Sequence, residues 1–178
     1  MRKVGIMDIT YTLTEEDYLK FNLYHIKNSK TGIRALNLQR FVPPLLFIVL
    51  AYLMTVVMEA SFVVMIGYAL VISIPWIVFY PAYFKRTIAQ NAKKMLKEGD
   101  NEGLLGKQHM VTTDEGIIVN SGVGATNVSW AGLKKFKEDN DNFYLYNGSL
   151  SAYVLPKRDL INIEELRNYF IMKIGNQK

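Results

Sequence analysis

From Phe41 to Phe84 the chain carries a single charged side chain, Glu59, in an otherwise uncharged and largely apolar stretch. Glu59 divides the stretch into eighteen uncharged residues, Phe41 to Met58, and twenty-five, Ala60 to Phe84. A helix rises about 1.5 Å per residue, so about twenty residues cross roughly 30 Å of hydrocarbon. The pattern predicts two membrane-spanning helices joined by a turn near Met58-Glu59-Ala60-Ser61, where the carboxylate escapes mid-membrane. Pro43 and Pro44 are expected at the start of the first helix, where missing amide hydrogens cost nothing. Pro75 is expected to kink the second. A buried helical pair in a soluble protein would need a polar face that neither segment has. A re-entrant hairpin is the other alternative, because the first segment is near the lower length limit.

On the N-terminal side, Val4 to Leu13 alternates apolar and polar residues as a strand does. Thr14-Glu15-Glu16-Asp17 then reads as a helix start, with a capping side chain and acids in the first turn. Leu19, Leu23 and Ile26 follow at helical spacing. Beyond the apolar block, Ile88, Ala92, Met95 and Leu96 share one helical face, and Arg86, Lys93, Lys94 and Lys97 another. From Lys107 the period becomes two. Gln108 to Thr113 and Ile117 to Ser121 flank Asp114-Glu115-Gly116. Ala125 to Trp130 and Leu133 to Glu138 flank Ala131-Gly132. Phe143 to Tyr146 and Ser149 to Leu155 flank Asn147-Gly148, a strong tight-hairpin signal. Asn162 with Glu165 opens a terminal helix whose buried stripe is Ile163, Leu166, Phe170 and Ile174. Six strands and a helix bury a thin core, so the N-terminal strand is expected to pair with this sheet as a seventh and its helix to pack beside it.

The expected organisation is therefore an N-terminal strand and helix over residues 1–40, a helical hairpin over 41–84, a basic stalk helix and linker over 85–106, and a β domain over 107–178. Charge refines the picture. The net charge is +5, and ten of the twenty-one basic residues flank the apolar block. Lys20, Lys27, Lys30, Arg34 and Arg40 precede it; Lys85, Arg86, Lys93, Lys94 and Lys97 follow it. An antiparallel hairpin puts both basic collars on one side, and the positive-inside rule makes that side the cytoplasm. Trp76, Tyr80, Tyr83 and Phe84 gather at the returning end as an aromatic belt. The Met1 to Leu13 segment lacks the apolar run of a secretory signal, so no cleavage is expected.

Val128-Ser129-Trp130, Leu133, Phe136, Phe143-Tyr144-Leu145-Tyr146 and Ala152-Tyr153-Val154-Leu155-Pro156-Lys157-Arg158 together resemble the YcxB-like family. These are small two-span membrane proteins, mainly of Gram-positive bacteria, with a C-terminal domain after the spans. The opening YTLTEEDYLKFNLYHI and the place of the hairpin fit as well. The resemblance implies a membrane α+β protein, whose β domain is similar to pleckstrin-homology-like folds: a bent antiparallel sheet closed by one helix. It supplies no catalytic residues.

Candidate chemistry is sparse. The chain has no cysteine, which removes disulfides, thiolate nucleophiles and Cys-based metal sites. Gly122-Val123-Gly124 lacks the third glycine and following helix of a phosphate loop and reads as a hairpin turn. His25 and His109 are lone histidines without a partner set, and no cofactor or metal is expected. Trp130 is expected in the core. Lys157-Arg158 reads as an exposed pair in a strand-to-helix connection. Lys85, Arg86, Lys93, Lys94, Lys97, Lys157 and Arg158 are the candidates for contact with lipid or a partner. The expected function is a non-catalytic, membrane-anchored module. Its cytoplasmic domain would bind a protein partner or anionic inner-leaflet lipid, not nucleic acid, with self-association left open. Bacteriocin immunity or envelope-stress protection is the alternative.

Overall fold

The structure, a computed structural model, describes residues 6–98 and 103–175. Val4, in the expected first strand, and residues 99–102 of the expected linker lie outside them. The chain divides into two compact units. One is Leu23–Asn91, and the other combines the residues up to Asn22 with those from Ala92 onward.

In the second of these units, β1 (Asp8–Leu13) buries Ile9, Tyr11 and Leu13 and exposes the residues between, as the alternation requires. It runs antiparallel to β2 (Gly106–Thr112), with Asp8 opposite Val111 and Leu13 opposite Gly106. β3 (Gly116–Ser121) and β4 (Gly124–Ser129) complete a sheet of order β1-β2-β3-β4. β5 (Lys135–Glu138), β6 (Asn142–Tyr146) and β7 (Ala152–Pro156) form a second antiparallel sheet in chain order. Residues from both ends of the sequence thus share one sheet, with the apolar helices between them in the chain. The terminal helix, α4 (Ile163–Gly175), buries Leu166, Tyr169, Phe170 and Ile174. The innermost side chains are Met110, Ile117, Leu133, Phe143, Tyr144, Leu145, Leu155 and Phe170. Phe136, Phe143 and Phe170 meet with ring centres 5.3 to 6.3 Å apart.

Two turns differ from expectation. The hairpin turn expected at Gly122-Val123-Gly124 is present, with Ser121 paired to Gly124, but the tight turn expected at Asn147-Gly148 is not. Tyr146 pairs with Ala152, leaving a five-residue loop. Within it the Ser151 carbonyl accepts both the Asn147 and Gly148 amides, and the Ser151 hydroxyl donates to Asn147 Oδ1 at 2.6 Å. Ser151 thereby closes a wider loop than the dipeptide prefers. Trp130-Ala131-Gly132 is a single 3-10 turn after β4 and leads into the second sheet, because β4 and β5 do not pair. Trp130 is buried there as expected, and its Nε1 donates to the Thr113 carbonyl at 3.0 Å.

Helix α1 (Glu15–Asn28) is followed by α2 (Lys30–Met58) and α3 (Phe62–Glu98). Both α2 and α3 are long and apolar enough to cross a membrane. They are separated by Glu59-Ala60-Ser61, with Glu59 in the left-handed region at φ 51°, so the reversal falls where Glu59 placed it. Helix α2 begins earlier than expected. Ser29 caps it by accepting the Gly32 amide at 2.8 Å. A Cβ on Gly32 would lie 2.3 Å from the Ile26 carbonyl oxygen, so only glycine allows the chain to turn so tightly out of α1.

Pro43 and Pro44 consequently sit inside α2, and Pro75 and Pro81 inside α3. An internal proline leaves the carbonyl four residues earlier without its amide donor. Pro43 does this to Gln39 and Pro81 to Ile77. Each orphan is met from the opposite helix: Trp76 Nε1 donates to the Gln39 carbonyl at 3.1 Å, and Arg40 Nε to the Ile77 carbonyl at 2.9 Å. The Tyr80 hydroxyl adds a hydrogen bond to the Gln39 side chain, and its ring stacks on Trp76 with ring centres 5.0 Å apart. Pro43 and Pro81 thus generate the acceptors that tie α2 to α3.

This reciprocal arrangement predicts a specific coupling. Trp76→Phe keeps an aromatic ring, orphans the Gln39 carbonyl, and should cost about 1–2 kcal/mol of hairpin stability in detergent micelles. On a Pro43→Ala background the backbone amide restored at position 43 can serve that carbonyl, and the cost should nearly vanish. An equal cost on both backgrounds, measured by equilibrium unfolding, would contradict the account.

Candidate functional site

The residues that tie the chain's ends together begin at Thr14. Its hydroxyl accepts the Asp17 amide at 3.3 Å, and its own amide and hydroxyl donate to Asp17 Oδ2 at 3.0 and 2.6 Å. This reciprocal pair is a capping box with Asp in the place of Glu, and it starts α1. Asp17 is fully buried, so the two Thr14 donors alone would leave much of its charge uncompensated. The remainder comes from Arg158, whose Nη1 and Nη2 donate to the two Asp17 oxygens at 2.7 and 2.6 Å. A planar guanidinium matches a carboxylate in this two-pronged way, and an ammonium does not.

Arg158 and its neighbour also close the outer edge of β1. Arg158 Nη2 donates to the Thr12 carbonyl at 2.9 Å, while the Thr12 amide donates to Asp159 Oδ2 at 2.8 Å. Two adjacent side chains thereby stand in for the strand that β1 lacks on that side. Phe21, one turn further along α1, packs on Tyr144 and Tyr146 with ring centres 5.5 and 5.8 Å away. Lys20 reaches Asp141 at 2.9 Å, and Lys93 of α3 pairs with Glu15 at 3.2 Å, both side chains being exposed.

A second cluster surrounds the β5–β6 turn. Asp139 Oδ1 accepts the Asp141 and Asn142 amides at 2.9 and 2.8 Å, and its Oδ2 accepts the Tyr144 hydroxyl at 2.6 Å. Lys157 Nζ donates to Glu138 Oε2 at 2.6 Å and lies 4.9 Å from the centre of the Phe143 ring. Arg167 of α4 grips Glu138 from the other side at 2.8 and 3.0 Å.

The expectation of an exposed Lys157-Arg158 pair is corrected for Lys157 alone, since the Arg158 side chain is 48% exposed although its guanidinium is engaged. The Lys157 side chain keeps only 12% of its surface exposed, and Arg158 commits its guanidinium to Asp17 and Thr12. Both act as internal ties. Lys85, Arg86, Lys93, Lys94 and Lys97 are all exposed on α3. Among the described residues an ion pair is found for Lys93 alone of these five. His109 meets Asp8 at 2.6 Å on the solvent side of β2. Burial lowers the pKa of His25. Among the described residues no group of three or more His, Asp or Glu is placed to hold a metal.

A family model described as YcxB-like protein matches residues 113–171, from the residue after β2 to within α4. The chain carries a YcxB-like domain there, preceded by two apolar helices that fit a two-span architecture. No curated protein and no solved structure matches the chain.

Burial by itself would raise the Asp17 carboxyl, but Arg158 and the Thr14 donors outweigh it and hold it below the ordinary value. Glu138 is likewise raised by burial and, more strongly, lowered by Arg167 and Lys157. A carboxyl depressed in the folded state contributes stability that is full above its unfolded pKa of about 4 and is lost as pH falls through the folded value. The β domain should thus lose stability progressively below about pH 4. Arg158→Ala, which strands a buried carboxylate, should cost about 2–3 kcal/mol at neutral pH. Its penalty should shrink in acid, and Arg158→Lys should recover only part of it. A pH-independent penalty in thermal unfolding of the full chain would contradict the pairing.

Proposed function

We propose that the protein is a non-catalytic, membrane-anchored binding module. In this reading α2 and α3 cross the cell membrane as a hairpin, both termini lie in the cytoplasm, and the β domain is a pleckstrin-homology-like recognition domain for a protein partner. The carrying observation is the contrast in how the cations are used. Lys157 and Arg158 of the β domain are occupied by internal carboxylates. By contrast α3 continues from its apolar length into a stretch where Lys85, Arg86, Lys94 and Lys97 remain exposed. Cations just beyond an apolar span favour the anionic cytoplasmic surface by about 1 kcal/mol each. Basic residues also precede α2's apolar stretch, so both ends of the hairpin follow the positive-inside rule.

The pleckstrin-homology-like assignment draws on seven strands among the described residues, divided four and three, with a helix following the last of them. Strand β1 supplies the first of the seven from the far side of the hairpin. A YcxB-like match over residues 113–171 is consistent with that assignment.

Natural absence of cysteine makes the topology directly testable, because single cysteines can be placed in an otherwise unreactive chain. In intact cells, Ser61→Cys should react with a membrane-impermeant maleimide. Lys97→Cys and Leu150→Cys should react only after permeabilisation. A benzophenone coupled at Lys97→Cys should crosslink to lipid in native membranes. Protection of Ser61→Cys, or labelling of Leu150→Cys from outside, would overturn the proposed orientation.

A further inference from the structure

Strand β1 is the outer strand of its sheet, and its register fixes which backbone groups face outward. Met7 pairs with Thr112 through the ladder, with the Thr112 amide donating to the Met7 carbonyl at 2.9 Å. In an antiparallel pair such positions alternate, so the odd-numbered residues bond to β2. The amides and carbonyls of Asp8, Thr10 and Thr12 then point away from the sheet. Thr12 confirms this, since Arg158 and Asp159 occupy both its groups. Among the described residues no protein group meets the outward amide or carbonyl of Thr10 or Asp8.

These open groups face a groove of about 430 Å³ whose other wall includes Ile161, Glu165 and Leu166. Ile161 is 83% exposed, which is unusual for an isoleucine held beside a domain core. Asp8, Asp159 and Glu165 line the groove, and among the described residues no lysine or arginine does. His109 Nε2 lies 2.6 Å from Asp8 Oδ1 and Asn162 holds one Glu165 oxygen at 3.3 Å, so the groove's described lining is rich in carboxylates. Exposed strand edges are commonly guarded by lysine. Strand β5, the edge of the second sheet, carries exposed Lys135 and Lys137 in that role. Strand β1 has no such guard.

We propose that this edge and groove take an extended segment of a protein partner, added as a strand beside Asp8–Thr10 and alternating basic with apolar side chains. Main-chain hydrogen bonds to Thr10 supply the docking, Ile161 receives an apolar side chain, and the carboxylates select lysine or arginine. The proposal rests on reading the β domain as a binding module and names its recognition surface.

The test uses the full chain in nanodiscs of neutral lipid, with a fluorescent peptide of alternating lysine and valine. The peptide should bind saturably and slow hydrogen exchange at the Thr10 amide. A glutamate–valine peptide should bind about tenfold more weakly. A lysine–valine peptide N-methylated on one edge should do so as well. Asp8→Lys with Glu165→Lys should weaken binding by a similar factor while exchange in β2 and α4 stays unchanged, which shows the fold is kept. Equal binding of the glutamate–valine peptide, unaltered exchange at Thr10 with peptide bound, or no lysine–valine binding would each overturn the proposal. Should it fall while Lys97→Cys still crosslinks to lipid from the cytoplasmic side, the groove alone is refuted and the anchored-module reading stands.

Discussion

Asp17 has no exposed surface, and a carboxylate taken out of water persists only where donors surround it. Four donors do so here: the Thr14 amide and hydroxyl beside it in sequence, and two nitrogens of Arg158, 141 residues away. The local half of that shell starts α1, and the distant half fixes the strand before α1 to the strand-to-helix connection after β7. The stretch Leu23–Asn91, with most of both apolar helices, is thus inserted between the two parts of the chain that build one β domain. An antiparallel helical pair returns the chain near its departure point, so the insertion needs no long connections to bring the two parts of the domain together.

The apolar helices obey a parallel logic. Where apolar surroundings make an unpaired carbonyl expensive, a donor from the neighbouring helix offsets the bond an internal proline removes, as happens for Pro43 and Pro81. In α2 and α3 the donors come reciprocally, Trp76 serving the carbonyl released by Pro43 and Arg40 the one released by Pro81. Trp76 and Arg40 also suit a second role each, as interfacial aromatic and topogenic cation. The two roles are compatible, because both place these side chains at the end of the hairpin where α2 enters and α3 leaves its apolar stretch.

Much of this architecture is legible from local pattern. Alternation marks β1, β2 and β5, short apolar runs between turn residues mark others such as β6, the charge-free runs mark the helices, and Glu59 marks their reversal. Trp130 reads correctly as core because a large apolar side chain in a thin sheet domain has few other places to go. The failures share a physical cause, since each depends on a partner far away in sequence or on competing side-chain hydrogen bonds. Lys157 looks solvated because charges in connections usually are, and nothing near Pro156 announces Glu138 as its partner or Asp17 as that of Arg158. Asn147-Gly148 favours a tight turn, yet Ser151 captures both its amides and widens the loop. Pro43 and Pro44 look like a helix start because the donor that makes an internal proline tolerable, Trp76, lies on the other helix, more than thirty residues along the chain. The groove beside β1 is invisible for the same reason, being formed by residues from opposite ends of the chain.

The central claim is that β1 and the YcxB-like region are one cooperative unit despite the insertion between them. Native-state hydrogen exchange on the full chain in nanodiscs tests it most directly. Amides of Ile9 and Tyr11 in β1 and those of β6 at the heart of the second sheet should exchange through the same global opening. Their opening free energies and denaturant dependence should then be equal. Rapid exchange of the β1 amides by low-energy fraying, while β6 stays fully protected, would show that the N-terminal strand is an accessory and contradict the account.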